Sequence, residues 1–530
     1  MLRAGSDSDI LQPLEPELGN ASEGKRNDRG MVLRFVLGVP YLAAFLLREE
    51  AVFLWLHLTE SLATMVFAVP PLSPTGSKLI NLDSASKPTA QNRSWKEGIP
   101  MTGNKGIEPI GQQDRNLGGV DFFLLWAGGL LIPLGFATGF LVILLGHLIG
   151  NTPLALGGII GSKTGLPTMV AVRPSFGIRG SYFATVLNLV QLVGWTGVML
   201  WIGGQAAQMV WPMPSFGFRG WVVVAGIATT LWALLGRRYW KWLQRIAVTA
   251  LIALCCIMTY VVLHKYGLDR LMAAPSRGGM PFMVALDLVI AMPISWLPLV
   301  CDYSRYGKRT GSAFWGTWAG YFIFSSWMYA IGLAAALATQ SPTPESMVLE
   351  LMVGLGLAAP AMIIVLFSTF TTTFLDIYST AVSALNIWPR MGERRGSLMC
   401  GILGTALALM FPATAYEGFL LFIGSVFCPL FGVVLADYFF FRRGRYFEAG
   451  TDTREVYWYL GGFNPWAFAA WAAGFGFYHL LQRQTAWGSS IPSLLATGVL
   501  YLILMGLFHG RSRVPGMEKG GPDCEARCKR

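Results

Sequence analysis

Charge is what this 530-residue chain has least of: only 13% of its residues are Asp, Glu, Lys or Arg. A soluble domain carries about 25%. The shortage excludes the three or four soluble domains that the length alone would suggest. Histidine and cysteine are scarce as well. The five histidines, His57, His147, His264, His479 and His509, lie in five separate segments without paired spacing. A membrane-embedded enzyme would need a convergent His, Asp, Glu or Cys cluster, so that reading has no support. Of the seven cysteines, Cys255, Cys256, Cys301, Cys400 and Cys428 lie in apolar stretches, where a free Cys acts as a small hydrophobe. Cys524 and Cys528 in the tail lack the spacing and the His partners of a zinc site. No disulfide framework, cofactor or resident metal is expected, and Na⁺ is the only metal ion left to consider.

What the chain has in abundance is apolar surface. Hydrophobic residues make up 54%, with 19 Trp, 33 Phe and 17 Tyr. That composition predicts an all-α polytopic membrane protein. Residues 1–119 read as a polar extension and linker holding two ambiguous apolar segments, 31–47 and 51–72, which either span the bilayer or lie at its surface. From residue 120, stretches of spanning length recur near 121–140, 142–161, 183–211, 220–236, 245–263, 283–303, 313–338, 358–384, 396–412, 417–440, 465–481 and 491–509. The first pair is cramped. Residues 121–161 barely suffice for two spans of about 20 residues, and Pro133, Gly135 and Gly139 lie where the first should still be crossing. Residues 510–530 read as a basic tail.

The net charge of +11 is a topology signal. Loops after even-numbered spans carry seventeen Lys and Arg: Lys163, Arg173 and Arg179; Arg237, Arg238, Lys241 and Arg245; Arg305, Lys308 and Arg309; Arg390, Arg394 and Arg395; Arg442, Arg443, Arg445 and Arg454. Loops after odd-numbered spans carry five, Arg219, Lys265, Arg270, Arg277 and Arg483. By the positive-inside rule the even loops, and both ends of the twelve-span core, are cytoplasmic in a cell (plasma or inner) membrane. A nucleic-acid patch would instead cluster its charge on one face, so no nucleic acid is expected as a partner.

Polar groups at membrane depth are few, and each is a functional hypothesis by default. The span 358–384 carries Ser368, Thr371, Thr372 and Thr373 followed by Asp376. Hydroxyls suit a desolvated Na⁺, or they bond back to the preceding helical turn and serve packing. A mid-span carboxylate suits a cation, a proton or a substrate amino group. The span 283–303 holds Ser295 and Trp296 between Pro293 and Pro298. Two prolines predict a broken helix, and such breaks build substrate sites in many transporters. The span 183–211 places Gln191 and Trp195 on one face, beside Gly194. Trp195 is open to either core packing or ligand stacking. His147 reads as a core histidine. Asp287 reads as near-interface, and Asp302, Arg305 and Asp437 as interfacial ion pairs or part of a cytoplasmic gate.

Several stretches together resemble the nucleobase:cation symporter-1 family: Gly165 to Gly180 (GLPTMVAVRPSFGIRG), Gly194-Trp195, Ser295 to Arg305 (SWLPLVCDYSR), Thr371 to Ser379 (TTTFLDIYS) and Phe422 to Tyr438 (FIGSVFCPLFGVVLADY). The resemblance covers about residues 106–511 and is nearest to the hydroxymethylpyrimidine transporters, relatives of the cytosine permeases. It implies a LeuT-like fold: inverted five-helix repeats over about 121–263 and 283–440, then two C-terminal helices. It implies that a planar heterocycle is held between Trp195 and Trp296. It also implies that Asp376 takes the place of a substrate-binding amide, and that Ser368, Thr371 and Thr372 are cation ligands. Gln191 and Ser295 complete the expected substrate set. An ionised Asp376 only accepts hydrogen bonds, which favours the exocyclic amine of a 4-aminopyrimidine over a carbonyl.

Two departures from the family pattern stand out. A helix-3 Gln of hydantoin-type relatives is Met199 here, and the first core helix is shortened, with Phe122 to Ile132 running directly into Pro133. The expectation is therefore a monomer importing a small pyrimidine, such as hydroxymethylpyrimidine or cytosine, across a lipid bilayer with Na⁺ or H⁺. Another nucleobase-like cargo (hydantoin, allantoin or a purine), an impaired member of the family, and a passive channel remain as alternatives.

Overall fold

The computed structural model describes residues 131–508, apart from 216, 236–239, 275–277, 340–349, 354–356, 411–415, 447–456 and 485. The extension with its apolar segments 31–47 and 51–72, residues 121–130 of the expected first span, and the tail 510–530 lie outside the described residues. Every regular element described is helical. In chain order they are α1 (Gly135–Thr164), the short α2 (Thr168–Ala171) and α3 (Arg173–Phe176), α4 (Gly180–Val210), α5 (Gly217–Leu235), α6 (Trp240–Tyr266), α7 (Leu268–Met272), α8 (Phe282–Trp296), α9 (Val300–Ser304), α10 (Thr310–Thr339), α11 (Ala358–Ala384), α12 (Glu393–Met410), α13 (Tyr416–Ala436), α14 (Pro465–Gln484) and α15 (Ser490–Phe508). Nine segments among the described residues are long and apolar enough to cross a membrane. The less apolar α12 and α14 occupy two more of the expected spans.

The cramped first pair resolves differently from the expectation. There is no turn near residue 141; α1 runs unbroken for 30 residues. Pro133 and Gly135 start this helix instead of kinking an earlier one. Pro133 sits in a one-turn 3₁₀ segment, Ile132–Leu134, where its missing N–H costs nothing. Gly135 then takes a φ of 71°, a left-handed value that glycine adopts without steric penalty.

Two packing layers emerge. In one, α1 packs along α8 and α10, and in the other α4 packs along α11 and α12. The second layer shows the repeat. α4 packs on α5 as α11 packs on α12, while α5 and α12 also meet. Third and eighth spans, and fourth and ninth, are therefore equivalent partners, as an inverted five-helix repeat requires. α14 and α15 pack against each other and on α13.

α1 approaches α8 closely because glycines line the contact. A Cβ on Gly146 would lie 2.6 Å from Val289 Cγ1, and one on Gly150 would lie 2.6 Å from Pro293 Cγ. Such small-residue spacing lets helix backbones meet in a bilayer, where packing and not water exclusion drives association. The two prolines of this region behave differently. Pro293 sits inside a continuous α8. Pro298 lies in the 3₁₀ turn Leu297–Leu299 that separates α8 from α9.

Candidate substrate site

The break after α8 brings main-chain polar groups to mid-span, and α4 answers them. The Gln191 amide donates to the Ser295 carbonyl at 2.7 Å. One turn earlier, Asn188 Nδ2 donates to Ser383 Oγ at 2.9 Å and to the Pro298 carbonyl at 3.4 Å. The pairings 188 with 298 and 191 with 295 run α4 antiparallel to α8. They place Trp195 near the level of Met292 and tie α4 to both α8 and α11.

A small cavity lies at this junction, lined by Trp195, Met199, Met292, Ser295, Trp296, Leu299, Thr372 and Asp376. Four of the five expected substrate residues, Trp195, Ser295, Trp296 and Asp376, therefore line one space, although they come from three helices far apart in sequence. Gln191, the fifth, stands behind the wall and holds the Ser295 carbonyl. Trp195 is 6% exposed. Its indole packs edge-on against Phe419 at 5.3 Å and Tyr416 at 6.2 Å, which fixes the plane of the ring. Trp296 is half-buried. Ser295 Oγ bonds back to the Met292 carbonyl at 2.6 Å.

The sequence reading did not single out Met292 or Leu299. A spacing signal for Met292 existed: it lies one turn before Trp296 as Met199 lies one turn after Trp195. Tyr416 reaches the Met292 sulfur at 3.6 Å.

The expected cation residues occupy consecutive turns of α11. Thr371 and Thr372 both donate to the Ser368 carbonyl, at 2.8 and 3.2 Å, the packing alternative the sequence left open. A hydroxyl that donates can also accept. Ser368 Oγ is buried with no hydrogen-bond partner. Thr372 also lines the cavity, so the cation candidates and the substrate candidates share a residue. Among the described residues no cluster of three or more His, Cys, Asp or Glu could hold a metal ion.

The three gate candidates are all buried within the protein. Asp302 and Asp437 are buried, and Arg305 is 0% exposed. Asp302 Oδ1 accepts from the Thr168 N–H at 2.9 Å, capping α2. Arg305 Nε donates to the Asp302 main-chain carbonyl at 3.2 Å, and its Nη2 donates to Tyr378 OH at 3.2 Å. Asp437 pairs with Arg442 at 3.2 Å. It also accepts from Tyr446 at 2.6 Å, Tyr501 at 2.7 Å and Ser175 at 3.2 Å. A buried carboxylate is tolerable only with such saturation. Burial works to lower the Arg442 pKa, but Asp437 together with Tyr459, Tyr446 and Tyr501 outweighs it and raises the pKa above the ordinary value. Burial pushes the Tyr446 hydroxyl well above the usual phenol range, and Asp437 pushes it the same way.

Both carboxylates thus hold the loop 165–179, one at Thr168 and one at Ser175. Arg173 ties the same loop to Asn386 at 2.9 Å, just past the end of α11. Asp287 is also buried. It accepts from the Ser489 and Ser490 N–H groups at 2.7 and 2.9 Å and so caps α15. His147 lies between Ser325 at 2.7 Å and Ser326 at 3.1 Å, a satisfied core histidine as expected.

The chain is similar to known proteins. Residues 120–501 match the family model described as permease for cytosine/purines, uracil, thiamine and allantoin. The cytosine permease of Escherichia coli (strain K12) is 29% identical over 374 residues, covering 70% of this chain and 86% of that protein. The hydantoin permease of Microbacterium maritypicum is 25% identical, covering 58% and 68%. Among solved structures, Mhp1, a nucleobase-cation-symport-1 family transporter in a closed conformation with bromovinylhydantoin bound, superposes with a TM-score of 0.69 at 21% identity. That match covers 76% of this chain and 95% of that one.

Proposed function

The chain belongs to the nucleobase-cation-symport-1 family of permeases, and from that premise we propose that it imports a small 4-aminopyrimidine, such as cytosine or hydroxymethylpyrimidine, by alternating access. The observation that carries this reading is the meeting of Trp195, Trp296, Ser295 and Asp376 around one cavity. Two indoles supply stacking worth about 1–3 kcal/mol per base with little regard to ring identity. Selectivity therefore falls to the polar edge. An ionised Asp376 accepts from an exocyclic amine and repels a carbonyl oxygen. Ser295 and Thr372 offer hydroxyls beside it, while Met199, Met292 and Leu299 supply an apolar wall.

Na⁺ is the proposed coupling ion, held by Ser368, Thr371 and Thr372. The buried, unpartnered Ser368 hydroxyl supports this, because such a group is costly unless it has a ligand to bind. The orientation proposed is that of the charge bias, with both ends of the core cytoplasmic.

Uptake by the full chain in vesicles, with and without a Na⁺ gradient, tests the whole reading. Cytosine and hydroxymethylpyrimidine should compete with the labelled substrate while uracil and hydantoin compete weakly. Equal uptake of uracil and cytosine would sink the Asp376 argument. Uptake that follows a proton gradient and ignores Na⁺ would overturn the ion assignment.

A further inference from the structure

The substrate cavity has a neighbour along the seam between α4 and α11. The two helices run antiparallel: Asn188 meets Ser383 toward one end, and toward the other a Cβ on Gly203 would lie 3.3 Å from Thr369 Cγ2. Between those contacts Trp195 falls level with Asp376, and Met199 with Thr372, and all four line the cavity. One helical turn further along the seam a second, narrower crevice lies between α4, α5 and α11. Gly203, Ala225, Thr229, Leu366, Thr369 and Thr373 line it, and so does Met199. Met199 is the one residue common to both walls. Gly203 lies one turn beyond it on the same face of α4, and it brings no side chain to fill the space. The hydroxyls around the crevice are used within their own helices. Thr229 donates to the Ala225 carbonyl at 2.7 Å, Thr369 to the Val365 carbonyl at 2.9 Å and Thr373 to the Thr369 carbonyl at 2.8 Å. These three hydroxyls have no proton to spare, so the walls suit an apolar group.

We propose that this crevice is a side pocket of the substrate site, which takes a small alkyl substituent on the ring, and that Met199 is the partition that turns aside to admit it. The inference rests on the reading of the neighbouring cavity as the substrate site, and it adds an apolar substituent to the class of cargo. Methionine suits such a partition. It is unbranched, has three rotatable bonds and repacks readily, whereas a β-branched residue on a helix is held to one rotamer. The level of each residue along the seam sets the direction. A 4-aminopyrimidine whose amine meets Asp376 turns its far edge toward Met199, and the 2- and 6-carbons lie on that edge. An alkyl group on one of them reaches the crevice and leaves water on entering it. A charged or hydroxylated group on the same carbon would give up its water without gaining a partner. The crevice therefore selects among substituents, while Asp376 selects among rings.

Competition binding on the purified full chain tests this. It compares 4-aminopyrimidine with its 2-ethyl and 6-ethyl derivatives, and uracil with 6-ethyluracil. The quantity read is the ratio of ethyl to parent affinity, which does not depend on which ring is the better cargo. Met199→Ala removes the partition. It should raise that ratio for at least one ethyl isomer by about tenfold, the value of burying two more carbons. Gly203→Ala and Ala225→Val each narrow the crevice by a different helix. Either one, added to Met199→Ala, should cancel the gain and leave the parent's affinity as it is in Met199→Ala alone. A ratio unmoved by Met199→Ala would overturn the side pocket. So would a gain that survives both narrowing substitutions, because the added space would then belong to the first cavity. Trp195→Ala separates this from failure of the site itself. Parent affinity lost there, with the ratio unmoved in Met199→Ala, strikes out the crevice alone. Parent affinity unchanged there means that the rings bind elsewhere, and both assignments fall.

Discussion

At the scale of single residues, the proposed selectivity rests on Asp376. Exchanging it for Asn turns a pure acceptor into a group that also donates. Asp376→Asn should weaken 4-aminopyrimidine binding by about ten- to a hundredfold, the range for a hydrogen bond to a charged group, while uracil gains. Competition binding on the purified protein measures both changes. Trp195→Ala and Trp296→Ala should each weaken binding by about 1–3 kcal/mol, as read by calorimetry, with Phe at either position recovering most of it. Unchanged affinity in both would remove the stacking pair from the site. Tyr446 supplies a pH test. Its folded pKa is raised above the unfolded value, so its contribution to stability is complete below about pH 10 and is lost as pH rises beyond that. Thermal unfolding should fall off above about pH 10, and less steeply in Tyr446→Phe.

At the scale of elements, the contact between α1 and α8 depends on glycine. Gly150→Ala would put a methyl carbon 2.6 Å from Pro293 Cγ and 3.2 Å from the Ile290 carbonyl oxygen. The backbone cannot yield as a side-chain tip would. The substitution should cost about 1–3 kcal/mol, visible as a lowered unfolding temperature in detergent. Asp287 works across elements as well. It lies on α8 but caps α15, a helix that begins about two hundred residues later. Asp287→Ala leaves two N–H groups without their acceptor, and a loss of about 0.5–2 kcal/mol is expected. Asp287→Asn, which keeps an acceptor oxygen, should lose less. The two prolines give a related lesson. Sequence inspection treats Pro293 and Pro298 as equal helix breakers. Only Pro298 coincides with a change of helix type, while Pro293 packs into the Gly150 notch.

For the molecule as a whole, the alternation of Lys and Arg between loops predicts the orientation, and sided labelling checks it. A cysteine at Gly392, in the basic loop before α12, should react with a membrane-impermeant reagent only from the cytoplasmic side. A cysteine at Gly267, after α6, should react only from outside. Reversal of the two would invert the topology while leaving the fold intact. The helical class, the approximate span positions and the pair of C-terminal helices were all legible in the sequence, because hydropathy and charge bias are properties of contiguous residues. The first pair was misjudged because Pro133 and Gly135 look alike whether they interrupt a helix or begin one. The burial of Asp302, Arg305 and Asp437 was not legible, because linear spacing does not reveal it.

The sequence by itself determined that this chain is a multi-pass helical membrane protein, which few polar groups it commits to the bilayer, and which family its motifs match. Only the tertiary structure decided that Trp195, Ser295, Trp296 and Asp376 face one cavity while Gln191 stands behind it. It also decided that Arg305 reaches α11 at Tyr378. Span composition is encoded locally, residue by residue. Convergence depends on how helices from two repeats pack, and that is set by glycine notches, a broken helix and hydrogen bonds between residues about a hundred positions apart.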